Sequence, residues 1–320
     1  MPRSQGWTAA EMPEMDGQTV IVTGANSGLG YEATRAFARA GAGVVMACRS
    51  VDRGEAAAAE IGREIPGADL SVRELDLASL SSVRAFADGF DGDLHVLCNN
   101  AGVMALPRSE TADGFETQFG VNHLGHFALT GLLFDRLRAT AATDGEVRVV
   151  THASGLHERG EIDFDDLQGE HDYDPWAAYA QSKLANVLFA YELDRRLGDM
   201  GDVTSVACHP GYAATDLQRR GPEAEGSRLK ATLMAVANAV FAQSAARGAL
   251  PLLYAATAPD VDGGDYVGPG GPLNMRGTPE KQRSSERSYD RGTAARLWEV
   301  SEDLTGVTYE FTEEAAGETP

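Results

Sequence analysis

Nearly continuous apolar runs recur along the 320-residue chain, separated by stretches whose apolar residues return every three or four positions. The runs are TVIVTG at 19–24, GVVMAC at 43–48, DLSVREL at 69–75, LHVLCN at 94–99, EVRVVTH at 146–152, DVTSVACH at 202–209 and a short GDYVG at 264–268. Aliphatic strands alternating with helices predict a mostly parallel sheet buried on both faces. Between the first two strands, Leu29, Ala33, Ala36, Phe37 and Ala40 share one helical face, and Gly41 follows where a helix end takes a left-handed residue. Residues 174–199 predict a long helix, with Asp174 as N-cap and Pro175 in the first turn. A Gly/Pro-rich stretch at 260–290 reads as loop, a last amphipathic helix passes through LWEVSEDL, and the tail, about 310–320, frays. No internal repeat appears and no linker divides the chain. The reading is therefore a single domain, 1–320, with an N-terminal extension of about residues 1–17. Its fold class is α/β, doubly wound, with three α/β/α layers around a seven-stranded sheet.

Hydrophobic residues make up 43% of the chain, enough for a core and too many for a disordered segment. The 27 basic and 48 acidic residues leave a net charge of −21, a surface that repels nucleic-acid phosphate, so no nucleic-acid partner is expected. The lysines are Lys183, Lys230 and Lys281 alone, and every other basic residue is arginine. A carboxylate-rich, lysine-poor surface suits a salty cytoplasm, where screening quiets self-repulsion, so a halophilic source is an expectation. The three cysteines form no CxxC and read as small buried hydrophobes in a reducing interior. The N-terminus MPRSQGWTAAEMPEMDG lacks the apolar stretch of a signal peptide. The apolar region 231–259 is broken by Asn238, Gln243, Ser244 and Arg247, so no membrane span is expected. A soluble, cytoplasmic protein is the expectation.

The first strand runs into Thr23-Gly24-Ala25-Asn26-Ser27-Gly28-Leu29-Gly30 and then a helix. Gly24 permits a tight turn, Gly28 lets the backbone approach a phosphate, and Gly30 lets helix and strand pack closely. The helix N-terminus adds free N–H groups and a partial positive charge for a pyrophosphate. The spacing is G-x3-G-x-G rather than G-x-G-x-x-G. An NAD site usually ends its second strand with a carboxylate for the ribose hydroxyls. Here that strand ends Met46-Ala47-Cys48-Arg49-Ser50, with no acid. The planar fork of Arg49 suits a 2′-phosphate, with Arg53 as a second candidate, so NADP(H) is preferred over NAD(H). The competing reading makes Arg49 a surface ion-pair partner.

On the long helix, Tyr179 and Lys183 stand four apart and share a face. An ammonium beside a phenol favours phenolate, so Lys183 is expected to lower the Tyr179 pKa toward the working range of a general acid/base. With nine Tyr and three Lys in 320 residues, chance seldom supplies such a pair.

With these motifs in place, the chain resembles the short-chain dehydrogenase/reductase family over nearly its whole length, and so implies a Rossmann fold. TGANSGLG at 23–30 matches the family's cofactor turn, which carries Gly24, Asn26, Ser27, Gly28, Leu29 and Gly30. Asp76-Leu77 matches the adenine-side acidic site, and Asn99-Asn100-Ala101-Gly102 the NNAG after the fourth strand, implying cofactor contacts from Asp76, Leu77, Asn99, Ala101 and Gly102. Asn122 in VNHLGHF matches the catalytic Asn, Tyr179-Ala180-Gln181-Ser182-Lys183 the YxxSK motif, and Pro210-Gly211 the PG after the sixth strand. The family's catalytic serine is the second of two small residues, here Ala153-Ser154, so that role falls on Ser154. Within the family the chain is similar to retinol-dehydrogenase-like and related NADP-dependent carbonyl reductases, through CRSVDRGE at 48–55, VNHLGHFALT at 121–130 and LWEVSEDLTGV at 297–307.

The resemblance implies that Tyr179 exchanges a proton with the substrate oxygen, that Ser154 hydrogen-bonds the developing charge and that Lys183 holds the nicotinamide ribose. It also implies that Asn122 holds a water linking Lys183 to solvent, and that Pro210, Gly211 and Thr215 position the nicotinamide, with a substrate lid at about 212–230. The implied substrate is a small apolar alcohol, aldehyde or ketone. The family commonly forms homo-oligomers through long helices. Ser154 and Tyr179 are 25 residues apart, about twice the usual interval, and the extra segment at 160–176 is acidic with interspersed aromatics. It reads either as part of the substrate mouth or as a solvated acidic loop.

Seven histidines invite a metal site, but no HExxH or His/Cys cluster is present, and no metal is expected. His152 and His157, flanking Ser154, read as packing for the active-site rim. An alternative to the enzyme is an idle NADP-binding redox sensor, and a smaller one is an isomerase or dehydratase on the same scaffold. The complete Asn122, Ser154, Tyr179 and Lys183 set favours the oxidoreductase, because a sensor has no need of all four.

Overall fold

The computed structural model describes residues 6–198, 203–211 and 244–311. Seven strands run parallel, five of them forming the centre of the sheet: β1 (Thr19–Thr23), β2 (Gly43–Cys48), β4 (Val96–Asn99), β5 (Val147–His152) and β6 (Val203–Cys208). With β3 (Leu70–Glu74), β7 (Tyr266–Pro269) and β8 (Pro279–Gln282) the order is β3-β2-β1-β4-β5-β6-β7-β8. The expected seven strands become eight. The added strand lies inside the stretch read as loop, pairs antiparallel with β7 and places Tyr266 opposite Gln282. Lys281 on β8 reaches Asp262 and Asp265, both at 2.8 Å. An edge strand needs few apolar residues, so periodicity could not reveal it.

Strand alternation distributes the core to both faces. Val20, Val22, Val44, Met46, Val96 and Cys98 pack on one side, while Ile21, Val45, Ala47, Leu97, Val147 and Val149 pack on the other. Helices α1 (Gly28–Arg39), α2 (Val51–Glu64), α3 (Leu80–Asp88), α4 (Thr117–Phe119), α5 (Gly125–Leu132), α6 (Phe134–Asp144), α7 (Pro175–Leu197), α8 (Ala245–Gly248), α9 (Leu250–Thr257) and α10 (Arg291–Thr305) cover the sheet. The buried face of α1 is rotated from the expected one: Ala33 and Phe37 point inward with Gly30, Thr34 and Ala38, whereas Leu29 faces a cleft. Cys48, Cys98 and Cys208 are free and buried, as expected. Of the tail expected to fray, Glu310 and Phe311 are described, and Phe311 packs on Phe134, Trp298 and Tyr309; the rest of that expectation lies outside the described residues.

The chain winds from β1 outward through β2 to β3, then returns to β4 and winds the other way. The crevice above the carboxyl ends of β1 and β4 is thus the switch point where open α/β sheets bind ligands.

Candidate functional site

The switch point holds a cleft of about 390 Å3. Gly24, Asn26, Ser27, Gly28, Leu29, Gly30, Arg49, Asp76, Leu77, Ala101 and Gly102 all line it. Gly24 and Gly28 have φ of +68° and +57°, which glycine adopts without strain. A methyl group on Gly30 would collide with the Gly24 carbonyl and crowd the Asn100 amide. The α1 N-cap, Ser27, makes no side-chain capping bond, so its hydroxyl and the first N–H groups of α1 remain for an anion. Arg49 and Arg53 also border the cleft, and neither forms an ion pair among the described residues. Turn, helix terminus and two cations together fit the pyrophosphate of a dinucleotide.

Asn99 does not fit its expected role. Its side chain is fully buried and donates to Thr130 Oγ1 at 2.9 Å, on the far face of the sheet. Asn100 borders the cleft instead, donating to the Thr23 carbonyl at 2.8 Å and meeting His152 Nδ1 at 3.0 Å. Alternation along β4 was the available signal, because it sends successive side chains to opposite faces.

Tyr179 and Lys183 occupy the first half of α7, with 5% and 3% exposure. The ammonium lies over the phenol ring, 5.9 Å from its centre, and donates to the His152 carbonyl at 3.0 Å. Burial pushes the Tyr179 phenol up to about 12, and a hydrogen bond with Ser154 acts in the other direction. Burial also brings Lys183 down to about 8. The expected lowering of the phenol pKa by Lys183 is corrected: loss of water raises it, and the group that pulls it back is Ser154. Ser154 caps a short 3-10 turn after β5, accepting from Leu156 N at 3.2 Å.

Asn122 sits in one turn of π-helix, Gly120–Leu124, inserted before α5. Such turns are frequent at functional sites. The Asn122 amide accepts from Val103 N at 2.8 Å and donates to Val103 O and to Ser182 Oγ, each at 2.9 Å. Ser182 donates in turn to the Tyr179 carbonyl at 2.8 Å. A methyl group on Gly102 would stand 3.0 Å from Asn122 Oδ1 and 3.5 Å from Lys183 Nζ. Gly102 is therefore where the cleft meets the Asn122, Lys183 and Tyr179 cluster.

His152 and His157 are buried packing residues. His157 donates through Nδ1 to the Ser154 carbonyl at 2.7 Å and accepts from Ser285 N at 3.0 Å. His123 is enclosed by Phe119, Phe127 and Phe189 and bonds Ser301 Oγ at 2.9 Å. Among the described residues, no three His, Cys, Asp or Glu side chains converge as metal ligands.

The segment at 160–176 is anchored on its inner side and acidic on its outer side. Tyr173 bonds the buried Glu116 at 2.9 Å, and Glu116 N donates to Gln168 Oε1 at 2.7 Å. Ile162, Phe164 and Leu167 pack against Phe119, Leu184 and Leu188. Trp176 is 44% exposed and stands edge-on to Tyr179 with 6.5 Å between ring centres. Tyr179 itself packs with Met104, Ala105 and Leu156. Pro210 and Gly211 follow β6, Gly211 with φ of +66°, while Thr215 and the expected lid at 212–230 lie outside the described residues.

A family model described as short chain dehydrogenase matches residues 18–226. Retinol dehydrogenase 12 of Homo sapiens is 43% identical over 302 residues, spanning 93% of this chain and 89% of that protein. The polyprenol dehydrogenase of Mus musculus is 43% identical over 287 residues, spanning 88% and 84%. Among solved structures, an uncharacterized protein from Mycobacterium paratuberculosis shares 44% identity with a TM-score of 0.79, covering 96% of this chain and 100% of its own. A protein from Beutenbergia cavernae, titled an NAD(P) dependent gluconate 5-dehydrogenase with bound NADP at low occupancy, shares 27% identity with a TM-score of 0.57, covering 76% and 91%.

Proposed function

The chain belongs to the short-chain dehydrogenase family, and from that premise we propose that it is an NADP(H)-dependent oxidoreductase that interconverts an apolar alcohol and its carbonyl compound. The observation that carries this reading is the convergence of Ser154, Tyr179, Lys183 and Asn122 on the Gly102 end of a cleft built for a dinucleotide. Bound cofactor supplies or takes up a hydride at the substrate carbon. The chain's own groups manage the oxygen. Tyr179, its phenol pushed up to about 12, keeps its proton at neutral pH and is ready to donate it to a carbonyl oxygen. Ser154 adds a second hydrogen bond as charge develops there. Lys183 is held by the His152 carbonyl in position to bind ribose hydroxyls, while Asn122 supports the return of a proton from solvent.

NADP(H) is preferred because Arg49 and Arg53 border the cleft without carboxylate partners among the described residues. An apolar substrate is supported by the surroundings of Tyr179, which are Met104, Ala105 and Leu156 with Trp176 exposed alongside. Retinol and polyprenol, in the names of two relatives, are alcohols of that character. The test is NADPH oxidation against a panel of apolar aldehydes and ketones, repeated with NADH. The Tyr179→Phe variant should bind NADPH as the parent does and lose at least about a hundredfold in turnover. Undiminished turnover in that variant would refute the assignment.

A further inference from the structure

A buried histidine joins the glycine-turn strand to the catalytic residues. His126 is 1% exposed and lies one turn beyond Asn122, across the π-helical insertion. Its Nδ1 is 3.0 Å from the Asn122 carbonyl oxygen and its Nε2 is 2.9 Å from Thr23 Oγ1. A carbonyl oxygen only accepts, so Nδ1 carries the proton and Nε2 offers its lone pair. The Thr23 hydroxyl then donates to Nε2, in preference to the Cys98 carbonyl at 3.2 Å, while accepting from the N–H groups of Asn100 and Ala101 at 2.9 Å. Burial brings His126 down to about 4, which keeps the neutral form that this tautomer requires. Beyond Asn122, the bonds to Ser182 and onward to the Tyr179 carbonyl complete a path from the cofactor turn to the catalytic helix.

We propose that His126 is a positioning residue that fixes the Asn122 backbone carbonyl from one ring nitrogen and the Thr23 hydroxyl from the other. The proposal rests on the oxidoreductase reading above, in which Asn122 serves proton return. It separates into two bonds with different consequences. The bond to Asn122 bears on turnover, and the bond to Thr23 bears on the turn that receives the cofactor.

Side-chain length allows each bond to be kept alone. An asparagine amide reaches the place of Nδ1, and a glutamine amide reaches that of Nε2. His126→Phe should lose at least about tenfold in kcat and about tenfold in NADPH affinity measured by fluorescence. His126→Asn should recover kcat to within about threefold of the parent without recovering affinity, and His126→Gln should recover affinity without kcat. Equal losses from Asn and Gln in both quantities would overturn the proposal. Ring 15N NMR of the unsubstituted protein without cofactor supplies a measurement independent of variant folding. The proton on Nδ1 is expected, and a proton on Nε2 would overturn the assignment. Tyr179→Phe, run alongside, separates the two levels. If it retains turnover the oxidoreductase reading falls, and if it is inactive while Asn and Gln behave alike, only the role of His126 falls.

Discussion

At the glycine turn the chain prepares a site by leaving groups open to the cleft, whereas around α7 it ties most groups to one another or to backbone, with Asn186 Oδ1 and His152 Nε2 left buried without a partner among the described residues. Residues 24–30 present N–H groups, an uncapped helix start and, nearby, two guanidinium groups without carboxylate partners among the described residues. Asn122, Ser182, Lys183 and His126 are instead buried and hydrogen-bonded to one another or to backbone. The difference follows from the ligand each end is proposed to meet. A phosphate brings its own charge and needs waiting donors. A proton-transfer site must hold its groups at fixed distances, which bonds to backbone and to one another secure.

The contrast can be broken most forcefully with acid. His123 and His152 are brought down to about 3, and His126 and His209 to about 4, in each case chiefly by burial. Folded pKa values below the unfolded value of about 6.5 mean that the unfolded chain takes up protons first. Stability is therefore fully present above about pH 6.5 and is lost as pH falls toward 4, at about 1.4 kcal/mol per pH unit for each histidine. Denaturant unfolding across this range should show a falling midpoint, and a flat profile would mean that these rings are not held neutral.

At the other end, Gly30→Ala should reduce NADPH affinity at least about a hundredfold, because its methyl group meets backbone that cannot move aside. Fluorescence titration measures this, and circular dichroism reports whether the fold survives. Arg49→Ala should weaken NADPH binding by about ten- to thirtyfold and leave NADH unchanged, the expected loss of one charge-assisted contact. An equal loss for both cofactors would assign Arg49 to a general rather than a 2′-phosphate role. The smallest effect concerns the surface that both ends share. With a net charge of −21, added salt should raise the melting temperature by a few degrees, and indifference to salt would remove the argument for a saline habitat.

The places of the glycine turn, Arg49 and the Tyr179–Lys183 pair were legible because each follows from spacing along one element or at its end. The seven apolar strands were legible for the same reason. What escaped depends on distant partners. β8 carries Glu280, Lys281 and Gln282 and exists because β7 offers an open edge. The role of Asn100 against Asn99 turns on which face of β4 each occupies. The phenol pKa of Tyr179 moved opposite to the local argument because spacing records the neighbouring ammonium and says nothing of the water excluded by Met104, Ala105 and Leu156.

The segment between Ser154 and α7 hangs from a few interior fastenings, Tyr173 and Gln168 at Glu116 and Phe164 beneath Arg296. Between those fastenings its outward acids shape the segment's own turns, Asp163 accepting from Asp165 N and Asp166 N and Asp166 from Glu170 N and His171 N. Changes of length or charge on that outward side would leave the fastenings, and the residues they hold beside α7, in place.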